Sequence, residues 1–118
     1  MIRVFFCDDE SAQRFLLGQL MRGQPRLHPA GAASSAVSTI PAITAAQPDV
    51  VVLDHFDHDG DVSVMVRAIR DAVPDVKIVL YSGLDLERIS GAETADRYVR
   101  KTELAEALWA TIYELFDR

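Results

Sequence analysis

The chain alternates short, continuously apolar runs with stretches whose apolar residues recur at helical spacing. Ile2–Cys7 (IRVFFC) is apolar, β-branched and aromatic, the pattern of a buried strand. Ser11–Met21 changes period: Ala12, Phe15, Leu16 and Leu20 align on one face, and Pro25 ends the run. Position and length alone predict a weak strand at 28–32. Ala36–Ala46 reads as a helix carrying Pro41. A helix starting near Ser38 or Thr39 tolerates that proline, because first-turn N–H groups lack intrahelical acceptors.

The pattern sharpens after Pro48. Residues 49–53 (DVVVL) form an apolar strand ending at Asp54, and Val62, Met65, Val66, Ile69 and Val73 mark a helix closed by Pro74. Residues 76–81 (VKIVLY) are a strand running into Ser82 and Gly83. Residues 84–93 are polar and short, with Leu86 and Ile89 the only pair expected to be buried. A brief strand at 97–99 precedes a last helix. Thr102 is placed to cap that helix, with Glu103 and Glu106 in its first turn. Leu104, Ala105, Leu108, Ile112, Leu115 and Phe116 would face inward, with Trp109 packing beside them.

Five strands alternating with five helices predict an α/β fold, a doubly wound parallel sheet with helices on both faces. Right-handed crossovers bring the carboxyl ends of all its strands to one edge, where such folds bind ligands. Those ends carry Asp8-Asp9-Glu10, Asp54, Ser82 and, after the fifth, Lys101. Clustered carboxylates suit a hard divalent cation such as Mg²⁺. With Lys101 as a movable positive charge and Ser82 as a donor, the set suits a phosphoryl group carried on a carboxylate.

Composition narrows the classes. With 118 residues, 49% apolar and 25% charged, one domain spanning 1–118 is expected. No apolar run approaches the roughly 18 residues of a membrane span, and MIRVFFCDDE has no signal-peptide profile. A single cysteine, Cys7, read as a small core hydrophobe, fits a reducing cytoplasm. A net charge of −6 argues against direct nucleic-acid binding by this chain.

The densest ionisable stretch is LDHFDHDGD, residues 53–61. His55 and His58, with only His28 elsewhere, fall short of the three or four ligands a zinc site needs. Setting Gly60 at the sixth position of a calcium loop puts His55 first and Val66 last, where a bidentate Glu belongs. Asp57, His58, Asp59 and Asp61 read instead as a solvated acidic rim beside Asp54. The bland readings are a loop-capping Asp54, helix-capping Asp8 and Asp9, and a Ser-Gly turn at 82–83.

The ordered set Asp8-Asp9, Asp54, Ser82, Tyr98 and Lys101, spread over almost the whole chain, resembles the receiver domain of two-component response regulators. The resemblance implies a flavodoxin-like sheet of order 2-1-3-4-5 and a cytoplasmic signalling domain, not a classical enzyme, that promotes its own aspartyl phosphorylation and dephosphorylation. It implies Asp54 as the phosphoacceptor, served by a sensor histidine kinase or a phosphotransfer protein. It also implies Mg²⁺ on Asp8, Asp9, Asp54 and the Phe56 backbone carbonyl. Ser82 and Lys101 would engage the phosphoryl group, Tyr98 would act as the switch aromatic, and Gly83 would keep the site open to the donor. A homodimer through the fourth helix, fifth strand and fifth helix is a further implication.

Three features depart from the family pattern. The acceptor is followed by HFDHDG, without Met-Pro and with Gly60 six residues on. Lys101 precedes Thr102 where the family has a cis proline, so a trans bond or a strained one is expected. The span from Ser82 to Lys101 is short, which predicts a short or irregular fourth helix. These departures motivate an alternative: a degenerate receiver-like interaction module indifferent to phosphorylation. An aspartate-nucleophile phosphatase, a third class, has little room for a cap or further catalytic acids.

Overall fold

The computed structural model describes residues 1–54 and 61–117. Its elements in chain order are β1 (Ile2–Cys7), α1 (Ser11–Met21), β2 (Leu27–Ala33), α2 (Ala36–Ala46), β3 (Val50–Leu53), α3 (Val62–Ala72), β4 (Lys77–Ser82), β5 (Arg97–Arg100) and α4 (Ala105–Phe116). The strands form one parallel sheet in the order β2-β1-β3-β4-β5, the order the resemblance implies.

The pleat of the sheet sorts its side chains into two layers. Val4, Phe6, Val50, Val52, Val79 and Tyr81 meet Leu17 and Met21 of α1 and Leu108, Trp109 and Ile112 of α4. Phe5, Cys7, Val51, Leu53 and Ile78 face the other way, onto Ile43 of α2 and Val66 and Ile69 of α3. Covering both faces explains why β3 is apolar at every position and why β1 and β4 carry one charged residue each, Arg3 and Lys77. Burial is also the main reason the Cys7 thiol is pushed up to about 12, so it stays protonated and packs as a hydrophobe.

The helix count differs from the expectation. The described residues contain four α-helices, because 84–96 holds only two single 3₁₀ turns, Leu86–Arg88 and Ala92–Thr94. Ile89 and Ala92 are buried there, but Leu86 is exposed, so the segment has no apolar stripe to hold a helix on the sheet. Gly91, at φ 81°, interrupts right-handed geometry in its middle. The sequence predicts five helices with a short or irregular fourth; among the described residues no α-helix forms at that fourth place.

Helix α1 is rotated from its expected orientation. Phe15, Leu16 and Leu20 are exposed, while Leu17 and Met21 are buried. Leu17 and Met21 pack into the sheet core, and on the same side Arg14 Nη1 donates to the Asp8 carbonyl at 2.6 Å. The last helix also starts later than expected. Its N-cap is Leu104, which is exposed, whereas Glu103 N–H bonds to the Arg100 carbonyl in a turn that takes up Thr102. The Lys101–Thr102 bond is trans.

Pro41 lies inside α2, not in its first turn, because Ser35 caps the helix by accepting from Ser38 N–H at 3.2 Å. The carbonyl that residue 41 would have bonded belongs to Val37, which is 89% exposed and open to water. Since Pro41 is itself exposed, Pro41→Ala should restore a helical bond at little packing cost. The expected outcome is a gain of about 2 kcal/mol in chemical denaturation, the helix penalty of proline less its restriction of the unfolded chain. A variant no more stable than the parent would contradict this account of α2.

Candidate functional site

Strand register builds the site. Cys7 pairs with Leu53, Leu53 with Leu80, and Ser82 with Arg100, so the residues that follow meet at the carboxyl edge. The ladders continue one residue past the strands. Asp8 N–H donates to the Ala33 carbonyl at 3.1 Å, Asp54 N–H to the Cys7 carbonyl at 2.9 Å, and Lys101 N–H to the Ser82 carbonyl at 2.8 Å. Backbone bonds to the sheet thus fix the roots of Asp8, Asp54 and Lys101.

Their side chains converge. Lys101 Nζ donates to Asp8 Oδ2 at 2.8 Å and lies 3.3 Å from Asp54 Oδ1. Asp8 Oδ1 accepts from Glu10 N–H at 2.9 Å. Asp8 and Asp54 are buried, whereas Asp9 is exposed at the mouth, and the three offer carboxylate oxygens all within 4.8 Å of one another. Ser82 is fully buried, and its Oγ accepts from Leu84 N–H at 3.1 Å. The Tyr98 hydroxyl donates to the Leu84 carbonyl, and the half-buried ring packs near Leu80 and Ile89. Gly83 is exposed, and a β-carbon there would contact nothing within 4 Å. The structure therefore brings together Asp8, Asp9, Asp54 and Lys101, with Ser82 and Gly83 following on β4 and Tyr98 one step outward. Phe56 and the rest of 55–60 lie outside the described residues.

Electrostatics determine what the crevice can hold. Two buried carboxylates within 4.8 Å repel by about 3 kcal/mol or more at an effective dielectric of ~20. On the same scale Lys101 attracts each by about 5 kcal/mol, which more than offsets that repulsion. Burial alone pushes the Lys101 ammonium down, but the bond to Asp8 and the charges of Asp54 and Asp8 together hold its pKa above the usual lysine value. Asp9 leaves the set net negative. Three oxygen donors, one open to water, with a compensating ammonium beside them, fit a hard divalent cation.

Two contributors escaped the sequence reading. The Tyr81 ring centroid lies 5.9 Å from Lys101 Nζ, giving the ammonium an aromatic flank. Its position next to Ser82 was the available signal. Nothing in the sequence pattern marks Arg14 as the residue that grips the Asp8 carbonyl.

No protein-family model matches the chain. Over 80 residues it is 32% identical to the DNA-binding transcriptional activator DevR/DosR of Mycobacterium tuberculosis, covering 68% of this chain and 37% of that protein. The chain thus spans little more than a third of the curated relative it matches. A two-component response regulator of the LuxR family from Aurantimonas sp. SI85-9A1 superposes with a TM-score of 0.83 at 21% identity, over 98% of this chain and 84% of that one. The fold is that of a response-regulator receiver domain. The isolated receiver domain of RcsB from Salmonella enterica serovar Typhimurium, in the presence of the phosphomimetic BeF3⁻, shares it with a TM-score of 0.81 at 15% identity, over 99% of this chain and 90% of that one. No helix among the described residues is long and apolar enough to cross a membrane.

A divalent cation placed on Asp8, Asp9 and Asp54 would compete with Lys101 for the same carboxylates. Lys101→Ala should therefore bind Mg²⁺ about three- to tenfold more tightly than the parent in calorimetric titration, and Asp8→Asn more weakly. The apo Lys101→Ala protein should melt lower and recover with Mg²⁺. Weaker Mg²⁺ binding by Lys101→Ala would contradict the competition.

Proposed function

We propose that this receiver domain accepts a phosphoryl group on Asp54 from the phosphohistidine of a sensor kinase or phosphotransfer protein. The observation that carries the reading is the placement of buried Asp54 3.3 Å from Lys101 and within 4.8 Å of the Asp8 and Asp9 carboxylates. A carboxylate oxygen of Asp54 forms the new bond to phosphorus as the bond from phosphorus to the imidazole nitrogen breaks. The electron pair of that bond returns to the departing imidazole. Asp8, Asp9 and Asp54 would hold Mg²⁺, with the Phe56 carbonyl as the further ligand the resemblance implies, and the ion would supply charge neutralisation for that transfer. Lys101 leaves Asp8 to pair with the dianion, and the Ser82 hydroxyl turns from Leu84 N–H to donate to it. Losing Ser82 as the acceptor for Leu84 frees the backbone to which Tyr98 is bonded, which makes Tyr98 the switch aromatic. Gly83 keeps the mouth open for the donor.

On this reading 1–118 is one cytoplasmic receiver domain that signals by shifting between two conformations, contacts no nucleic acid itself, and promotes its own dephosphorylation. Where it dimerises, the face would comprise the 84–96 segment, β5 and α4. The solved receiver domain of RcsB with BeF3⁻ supports the same chemistry on this fold. A second reading, an interaction module independent of phosphorylation, is favoured by the absence of an α-helix at 84–96.

Incubation with acetyl phosphate and Mg²⁺ separates the two. Intact-mass spectrometry should show one added phosphoryl group, absent without Mg²⁺ and absent in Asp54→Asn. No adduct, or one that survives Asp54→Asn, would refute the phosphoacceptor reading.

A further inference from the structure

The 84–96 segment replaces a helix yet is fastened at three places. Its start hangs on Ser82 and Tyr98 through Leu84. Its end is held by Asp96, which accepts from Ile78 N–H at 2.7 Å and from Arg70 Nη2 at 2.9 Å. The middle fastening lies on the first turn of α3. Val62 N–H donates to the Ser90 carbonyl at 2.9 Å, and Asp61 Oδ1 accepts from Ser63 N–H at 2.8 Å. Asp61 Oδ2 accepts from the Ser90 hydroxyl at 3.2 Å. Two otherwise orphaned N–H groups of the α3 amino terminus are therefore satisfied, one by the segment and one by the carboxylate that grips it. Beneath, Val62 packs with Leu80, Ile89 and Ala92 in a small apolar cluster separate from the two main layers.

Gly91 shows how tightly the parts fit. It sits at φ +81°, and a β-carbon there would lie 1.8 Å from Asp61 Oδ1 and 2.7 Å from Ser63 N. Any side chain at 91 would displace Asp61 from its seat, and the backbone conformation independently disfavours one. Position 91 must be bare for the Asp61 carboxylate to cap α3 and hold Ser90 together.

We propose that Asp61, Ser90 and Gly91 form a latch that holds the 84–96 segment on the amino terminus of α3 and opposes its movement when Asp54 is phosphorylated. The coupling half of this inference rests on the phosphoacceptor reading. Phosphorylation draws Ser82 away from Leu84 and loosens the start of the segment. The latch then sets how much free energy is needed to move the rest. A switch opposed by a latch binds its phosphate mimic more weakly than one without it, by the factor by which the latch favours the resting state.

Gly91→Ala expels Asp61 from its seat, and Asp61→Ser retains a helix-capping hydroxyl but is too short to reach Ser90. In hydrogen exchange without ligand, both should accelerate the amides of 84–95 by about tenfold while leaving those of α4 unchanged. Both should also tighten binding of beryllofluoride with Mg²⁺ several-fold. Unchanged exchange in 84–95 would overturn the latch; faster exchange with unchanged or weaker beryllofluoride binding would overturn its coupling to the site. If Gly91→Ala does not fold, Asp61→Ser supplies both readings. A parent protein that fails to bind beryllofluoride would refute the phosphoacceptor reading and the coupling with it, while the exchange measurement still decides whether the latch exists.

Discussion

Two carboxylates, Asp8 and Asp54, are buried side by side at the end of the sheet, and the charge balance of the crevice depends on Lys101 reaching both. Without that ammonium their mutual repulsion would disfavour the register that places Cys7 opposite Leu53. With it, the sheet carries an acidic crevice whose carboxylates are partly neutralised by Lys101. On the proposed phosphoacceptor reading, stability and reactivity share one contact, because the bond that neutralises Asp8 at rest would have to break for Lys101 to serve a phosphoryl group.

Much of this architecture was legible in the sequence because strands buried on both faces have an unmistakable pattern. IRVFFC, DVVVL and VKIVLY marked β1, β3 and β4 to within about a residue, and parallel connection placed Asp8, Asp54, Ser82 and Lys101 on one edge. Helix α1 was harder, since apolar residues occupy both sides of it. Periodicity cannot choose between the Phe15-Leu16-Leu20 side and the Leu17-Met21 side; the folded chain buries the latter, with the Arg14 bond to the Asp8 carbonyl on that side. Pro41 misled because its fit depends on the Ser35 cap, and Thr102 because an available hydroxyl does not cap a helix when the chain is still turning.

The segment between β4 and β5 shows the same limit. The short span from Ser82 to Lys101 predicted a short or irregular fourth helix, but local pattern does not reveal the two 3₁₀ turns that stand in its place. Asp61 and Gly91 are 30 positions apart, and only the closed structure shows that the bare backbone of one makes room for the carboxylate of the other. The acidic stretch around Asp54 thereby divides: Asp54 belongs to the crevice, while Asp61 belongs to the amino terminus of α3 and to the segment above it.

The central claim is that Asp54 is the reacting carboxylate and Lys101 the charge that follows the phosphoryl group. A crystal structure with Mg²⁺ and beryllofluoride tests it most directly. The account predicts beryllium bonded to an Asp54 carboxylate oxygen, with Lys101 Nζ moved from Asp8 Oδ2 onto a fluorine. Beryllium on Asp8 or Asp9, or a Lys101 still bonded to Asp8 beside an occupied Asp54, would contradict it.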